Sequence, residues 1–436
     1  MEEHVLKFFV KKEFSLLFIV TIFFSPYFFL RPGGFDYPSG ISFTFGDFLL
    51  SLLFLMVAIN RGQIRYNFLF LVLFFMLILF LSFLSEALFG YIYEAKSFFS
   101  ASLQYFYILI VMSFIANHFI KFENLHSFFK IVGIAYLIPL LMSLSALAFN
   151  FPHHDLFFSA SRAIGTFGNA NSFAYITLLM LPIILFLVLK SGGCYARVAW
   201  IVVLTVLLFN LLLTMSFSAF LILLFLIFVN SVLFYKYRKR LPRHFLKKYL
   251  MWIVGIGFVM GASLFLITLF NSSFHNTLLL RLNIGHSGLG SSADRISLME
   301  NALEILLKTP QNFLLGIGLQ QASFYELSPS GVAETVHNTY ILMLLETGAF
   351  GLLAFLMIWF QLYKNINSLK YLDLSVYILL LNLFLIFLLI MFFNPHTYLR
   401  YFFIPVMPIF VSGWIRESTQ DCCKSNSISG GVDGSH

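Results

Sequence analysis

The chain has 436 residues, of which 60% are apolar and 11% are charged, with 58 phenylalanines and a mean hydropathy of +0.91. A water-soluble core of this length could not enclose so much apolar surface, so the composition excludes a soluble globular protein. The net charge of +8 is explained by basic side chains at a membrane surface, because no nucleic-acid-binding motif accompanies it.

Twelve apolar stretches are long enough to be membrane spans, since a spanning helix needs roughly 20 mainly apolar residues with its backbone polar groups paired internally. They predict an all-α polytopic fold with spans at residues 13–30, 46–60, 67–88, 98–117, 128–149, 170–189, 198–214, 218–235, 249–270, 338–361, 373–393 and 399–415. The second is short and the last contains two prolines, so ten or eleven crossings stay open. The first has no small-residue cleavage site, and we expect a span there instead of a removed signal.

The distribution of Lys and Arg predicts the orientation, because cytoplasmic loops carry the excess of basic residues. The basic residues fall in alternate loops, with the densest cluster between Lys236 and Lys248. Both termini are therefore predicted to be cytoplasmic. On this basis residues 1–270 hold spans one to nine, 271–337 form a long extracytoplasmic loop, 338–415 hold spans ten to twelve, and 416–436 form a disordered cytoplasmic tail.

Neither cysteines nor histidines indicate a metal site. Cys194, Cys422 and Cys423 are all predicted to be cytoplasmic and reduced, with no partners at metal-ligand spacing. His153 and His154 are adjacent, so one helix cannot point both rings at one ion. We predict no disulfide, no metal and no cofactor.

The long loop contains an amphipathic helix. Ser291 to Asp294 have the composition of an N-terminal cap for a helix over residues 295–308, and helical spacing predicts an apolar face made of Ile296, Met299, Leu303 and Leu306. Thr309-Pro310 ends this helix, and a flexible turn containing two glycines follows at residues 315–319.

Arg295 falls in the first turn of that predicted helix, where the helix dipole disfavours a cation. An anion such as a phosphate, bound by both Arg295 and the free N–H groups, would explain its position. A surface pair of Arg295 with Asp294 or Glu300 is an equally open interpretation.

His337 lies where the chain enters the next span, and a histidine at a helix N-terminus is favoured in its neutral form, as a general base requires. Gly348 and Gly351 lie on the same helical stripe as His337 and permit close packing. Glu346 lies on the opposite side of that helix, and a carboxylate inside a span indicates either function or a buried polar pair.

Three segments resemble the O-antigen ligase and O-antigen polymerase superfamily. The string His337-Asn338-x-Tyr340 through Glu346-x-Gly348-x-x-Gly351 resembles its signature after the largest extracytoplasmic loop. Residues 162–174, beginning Arg162-Ala-Ile-Gly165, resemble the start of a central span, and Arg295 with its helix and the following glycines resembles the long-loop pattern.

The resemblance implies a metal-independent, inverting membrane glycosyltransferase of the bacterial inner membrane. Such enzymes transfer a glycan from undecaprenyl pyrophosphate to an acceptor glycolipid: the lipid A core for a ligase of lipopolysaccharide biosynthesis, or another lipid-linked repeat for a polymerase. By the same resemblance His337 would be the catalytic base, and Arg162 and Arg295 would bind the pyrophosphate. Asn338, Tyr340, Glu346 and Gly348 would support the motif, with membrane lipids as surroundings and no nucleic-acid partner.

One departure from the family pattern concerns the turn between the seventh and eighth spans, where members often have Ser-Arg. This chain reads Thr214-Met215-Ser216-Phe217-Ser218. Arg281 and Arg400 are candidates to supply the missing cation, although each could also be an interfacial anchor.

A transporter of lipid-linked oligosaccharides is the competing class, since it would be equally rich in spans. Transporters usually show repeated halves and charges near the bilayer midplane. Here the halves differ and polar residues concentrate in one loop, which favours an enzyme. Between ligase and polymerase the sequence favours the ligase only slightly.

Overall fold

In a computed structural model of the chain, the structure describes residues 66–89, 95–112, 120, 124–149, 158–159, 162–240, 255, 257, 261, 288–322, 336–394 and 400–413. Most of these residues are helical, and strand geometry among them is limited to a short antiparallel pair, β1 (Phe158–Ser159) with β2 (Arg162–Ala163). The prediction of an all-α fold is confirmed.

The α-helices are α1 Tyr66–Phe89, α2 Ala95–Phe106, α3 Leu125–Phe149, α4 Ala170–Lys190, α5 Cys194–Leu213, α6 Phe217–Tyr237, α7 Gly288–Leu307, α8 Pro310–Leu315, α9 Thr339–Ser368, α10 Leu374–Phe393 and α11 Arg400–Phe410. A π-helical turn, Tyr107–Met112, continues α2. Short 3-10 turns precede α4 at Gly165–Phe167 and follow α9 at Leu369–Tyr371.

Seven helices in the described part of the chain are long and apolar enough to cross a membrane, namely those at Leu69–Leu88, Leu125–Phe149, Ala170–Lys190, Cys194–Leu213, Phe217–Tyr237, Thr339–Tyr371 and Leu374–Phe393. Each coincides with one predicted span. The predicted spans 98–117 and 399–415 overlap α2 and α11, whereas 13–30, 46–60 and most of 249–270 lie outside the described residues. The chain is a multi-pass membrane protein, and a total of twelve spans stays a prediction.

The chain divides into two compact units. Residues 1–35, 131–295 and 386–393 belong to the first, and residues 36–130, 296–385 and 394–436 to the second. Helices α3, α7 and α10 each contribute residues to both units. The tail at 416–436, which we predicted to be disordered, lies outside the described residues.

Helix α4 is the centre of the first unit, because nearly all of its side chains are buried. The Tyr136 hydroxyl of α3 lies 2.7 Å from Thr177 Oγ1 of α4. Gly133 of α3 leaves room for Trp200 of α5, since a Cβ there would lie 3.0 Å from the indole ring. The three helices therefore pack closely through a buried polar pair and a glycine contact.

Helix α9 is the centre of the second unit. Its Phe355 ring lies 5.9 Å from Phe75 of α1, and its Trp359 ring lies 6.2 Å from both Phe384 of α10 and Phe410 of α11. Toward its N-terminal end, α9 packs against α7 through what we call the loop–helix cluster, made of Leu298, Ala302, Leu306, Ile317, Ala322, Val336, Leu342 and Leu345. The long loop is therefore joined to α9 by an apolar core.

Of two predictions about the amphipathic helix, the position of its cap was wrong and its apolar face was right in part. It begins at Gly288, so Ser291 to Asp294 are already helical and do not cap it. Ser and Asp are favoured at N-caps but also occur inside helices, so their presence alone did not locate the start of this helix. The predicted apolar face was right in part: Leu306 is buried and Met299 packs against the loop–helix cluster, whereas Ile296 and Leu303 are exposed. Leu298 and Ala302 are buried in their place. The helix has two adjoining apolar stripes, and spacing alone does not tell which one packs against protein.

The Tyr136–Thr177 pair generates a stability prediction. Changing Tyr136→Phe should destabilise the protein by about 1 kcal/mol, since interhelical hydrogen bonds in membranes are worth roughly 0.6 kcal/mol on average and up to about 1.7. Thermal unfolding in detergent of Tyr136→Phe, Thr177→Val and the double variant would measure it. Strictly additive effects of the two single changes would contradict a direct bond.

Candidate functional site

The main chain around His337 is fixed on both sides. Val336, just before it, is fully buried in the loop–helix cluster. Asn338, just after it, is the N-cap of α9, and its Oδ1 accepts hydrogen bonds from the backbone N–H groups of Tyr340 (2.9 Å) and Ile341 (3.2 Å). His337 itself is half-buried, so a fixed backbone carries a partly exposed residue.

Helix α9 is broken at Gly348, which has φ 67° and ψ −174° within an otherwise helical segment. This break interrupts the regular pairing of each N–H with the carbonyl four residues earlier. The Ile317 N–H donates to the Leu345 carbonyl at 2.9 Å, and the Gly318 N–H donates to the Glu346 carbonyl at 3.0 Å. The segment 316–322, which we call the glycine turn, therefore pairs with the carbonyls beside the break.

Two glycines make this approach possible. A Cβ added to Gly316 would lie 2.4 Å from the backbone carbon of Glu346, and a Cβ added to Gly348 would lie 2.3 Å from that of Leu314. Both residues also have positive φ, 76° and 67°. Each glycine is thus required by the backbone of the other segment. The close helix approach predicted for Gly348 is confirmed, and its partner is the last turn of α8.

The side chain of Glu346 also binds the glycine turn. It is only 3% exposed, and its carboxyl group accepts hydrogen bonds from the backbone N–H groups of Gln320 and Ala322. Of the two interpretations of Glu346, the contacts support the buried polar pair. This carboxyl group is enclosed by protein.

Helix α1 supports the glycine turn with polar side chains that the sequence analysis missed. The Ser82 hydroxyl donates to the Glu346 carbonyl at 3.0 Å, and Gln311 Nε2 of α8 donates to Ser85 Oγ at 2.6 Å. Glu86, 3% exposed, packs near Gly318. The signal was present, because Ser82, Ser85 and Glu86 are polar residues inside an apolar span, and such residues face protein.

Arg162 lies in the first unit and is held by two neutral acceptors. Its Nε donates to the Thr214 carbonyl at 2.8 Å, and its Nη2 donates to Asn171 Oδ1 at 3.0 Å. Arg162 belongs to β2, Asn171 to the first turn of α4, and Thr214 to the turn between α5 and α6. The guanidinium group therefore joins three elements.

Hydroxyl groups continue this network along the same turn. Ser216 Oγ donates to Asn171 Oδ1 at 2.9 Å and lies 3.3 Å from Ser218 Oγ, which lies 2.6 Å from the Tyr175 hydroxyl. This is the turn where the family's Ser-Arg is missing. The structure places the Arg162 guanidinium at that turn, a location that the sequence could not reveal.

The other predicted cations are less informative. Arg295 is helical but is the eighth residue of α7, so the argument that it opposes the dipole in the first turn was wrong. Arg400 is the first residue of α11, and Arg281 lies outside the described residues, as do His153 and His154. Within the described part of the chain, no group of three or more His, Cys, Asp or Glu residues could hold a metal ion.

The helices define a multi-pass α-helical membrane protein. Its two polar clusters lie at the glycine turn and around Arg162. A model of the O-antigen ligase family matches residues 201–356, less than half of the chain. The matched segment includes α7, α8, the glycine turn, His337 and the break in α9. It confirms the resemblance to the O-antigen ligase and polymerase superfamily and indicates an O-antigen ligase-like membrane enzyme. A search of curated proteins finds no match.

The reciprocal glycine contact generates a prediction about folding. Gly316→Ala and Gly348→Ala should each lower the folded yield strongly, because the new methyl group would overlap backbone atoms and the residue would have to keep a positive φ. Gly192→Ala is the matched control, since a Cβ there would meet nothing within 4 Å. Size-exclusion profiles of the purified variants would measure this effect. Normal profiles for both Gly316→Ala and Gly348→Ala would contradict the contact.

Proposed function

We propose that the protein is a membrane glycosyltransferase that moves a glycan from undecaprenyl pyrophosphate to an acceptor sugar, as a ligase with the lipid A core as acceptor. The match of residues 201–356 to the O-antigen ligase family is the observation that carries this proposal. The expected location is the bacterial inner membrane with both termini cytoplasmic. The reaction would proceed with inversion and without a metal ion.

His337 is the proposed general base. A base must present an accessible ring on a fixed backbone, and His337 is half-buried between the buried Val336 and the N-cap Asn338. It would accept the proton of the acceptor hydroxyl while the oxygen attacks the anomeric carbon. The bond from that carbon to the pyrophosphate oxygen breaks, and undecaprenyl pyrophosphate leaves with the electron pair.

Arg162 is proposed to bind the pyrophosphate and to stabilise the charge that develops as it leaves. A guanidinium group matches phosphate oxygens with paired N–H donors and remains charged at any relevant pH. The Thr214 carbonyl and Asn171 fix its orientation, so little reorganisation is required on binding. Arg162 would thereby supply the cation that the Thr214–Ser218 turn lacks. Arg295 and Arg281 stay candidates for the same anion.

A polymerase would use the same donor and differ in its acceptor. The profile of lipopolysaccharide from a strain lacking this gene distinguishes the two. Loss of every O-chain band from the core supports the ligase, whereas a core carrying a single repeat supports the polymerase. An unchanged surface glycan would contradict both.

The role of His337 predicts that His337→Ala and His337→Gln lower the transfer rate by about 10²- to 10⁴-fold, the usual contribution of a general base. Transfer in membranes, normalised to protein abundance, would measure it. His126→Gln is the control, at a helix end that the charge distribution predicts to be cytoplasmic. A normal rate for His337→Ala would exclude this residue as the base.

The role of Arg162 predicts a loss of roughly 10²-fold in transfer for Arg162→Lys, because an ammonium group cannot make the two fixed bonds and also present a paired donor face. Arg197→Lys is the matched control, since Arg197 also donates to a backbone carbonyl, that of Ser191 at 3.1 Å. Equal activity of the two lysine variants would contradict the assignment.

A further inference from the structure

We infer that Glu346 is a positioning residue for His337: by binding the glycine turn, its carboxyl group fixes part of the apolar cluster in which Val336, the residue before the base, is buried. The inference rests on the proposed role of His337 as the base. It assigns to Glu346 a task that requires no contact with substrate, in keeping with a side chain that is 3% exposed.

The first step is the hydrogen bonding of the glycine turn. The Gln320 and Ala322 N–H groups both donate to the Glu346 carboxyl group. Gln320 has φ 62°, a conformation that costs a side-chain-bearing residue free energy and persists only where the surroundings require it. The carboxyl group of Glu346 stabilises this conformation of Gln320, because it accepts a hydrogen bond from an N–H that would otherwise lack an acceptor.

The second step leads from the turn to the base. Ala322 and Val336 are both fully buried and belong to the loop–helix cluster, together with Ile317 of the same turn. Val336 immediately precedes His337. A turn held by Glu346 therefore fixes part of the cluster in which Val336 is buried, while Asn338 fixes the residue on the other side of His337.

The third step explains why a carboxyl group is required. A carboxyl group can accept a hydrogen bond at each of its two oxygens, so it can pair with two N–H donors. The amide of a glutamine offers one acceptor oxygen and an NH₂ group, and the NH₂ group would face an N–H donor. Glu346→Gln nearly preserves the size of the side chain and should loosen the turn without removing the break in α9.

The experiment uses the full-length protein with Cys194, Cys422 and Cys423 replaced by serine and with Ala322→Cys introduced as a reporter. Ala322 is 0% exposed, so a thiol at this position should react slowly with a maleimide until the turn opens. The labelling rate and the kinetics of transfer are measured for this protein, for Glu346→Gln and for Glu304→Gln. Glu304 is the matched control, an exposed carboxylate on α7.

The expected result for Glu346→Gln is faster labelling of the reporter thiol, by about tenfold or more, together with a fall in kcat of roughly 10- to 100-fold at a nearly unchanged KM for the lipid-linked donor. Glu304→Gln should leave both quantities unchanged. A protein that was merely misfolded would lose active fraction with no opening specific to the turn, and active-site titration of the folded fraction separates these effects.

The outcomes decide separately on the inference and on the proposed function. Unchanged labelling in Glu346→Gln, or faster labelling with an unchanged kcat, would overturn the positioning role even if His337→Ala were inactive. If Glu346→Gln speeds labelling while His337→Ala transfers glycan normally, the base assignment fails and the positioning role is overturned with it, leaving the binding of the turn by Glu346 as structure alone.

Discussion

The pairing of backbone carbonyl groups at the break in α9 is the interaction on which the second unit depends. Within hydrocarbon or a dry protein interior, an unpaired backbone group costs several kcal/mol, so a spanning helix can break only where other groups replace its own N–H donors. At Gly348 the replacements are the N–H groups of Ile317 and Gly318 and the hydroxyl of Ser82. The long loop therefore supplies hydrogen-bond donors that α9 needs at its break.

The arrangement of the neighbouring elements follows from that pairing. The glycine turn must approach the backbone of α9 to hydrogen-bonding distance, which requires a residue without a Cβ at Gly316 and at Gly348. Helix α8 ends at the turn and is held to α1 by Gln311, while α7 packs its buried apolar face on the same cluster. In α9, Glu346 supplies acceptors for the glycine turn, and Gly348, two residues later, supplies the break at which the turn packs.

Sequence patterns predicted what depends on local chemistry. The helical class, seven spans, the end of α7 before Thr309-Pro310 and the turn that follows it all come from hydropathy, helix termination and glycine content. The same Thr309-Pro310 signal also begins α8, which the sequence analysis overlooked although Pro at a first helical position is a known start signal. Patterns failed where partners are distant along the chain: they could not choose between the two apolar stripes of α7, nor show that Glu346 faces the turn.

Arg162, in the other polar cluster, also has partners that are distant along the chain and that the sequence pattern did not show. Its position bears on the turn at Thr214–Ser218, which lacks the arginine of the family pattern. A turn that reads Thr-Met-Ser-Phe-Ser has no cation in its sequence, yet it receives one from a residue 52 positions earlier, whose Nε reaches the Thr214 carbonyl. Asn171 then links the guanidinium group to the Ser216 hydroxyl, so the cation and the turn share one acceptor. The proposed binding of the pyrophosphate by Arg162 depends on the position and charge of the guanidinium group, and its position is set by the three elements that hold it. A missing arginine in a motif is therefore weak grounds for inferring a lost anion site, because an arginine from another segment can present the same donors to the same turn.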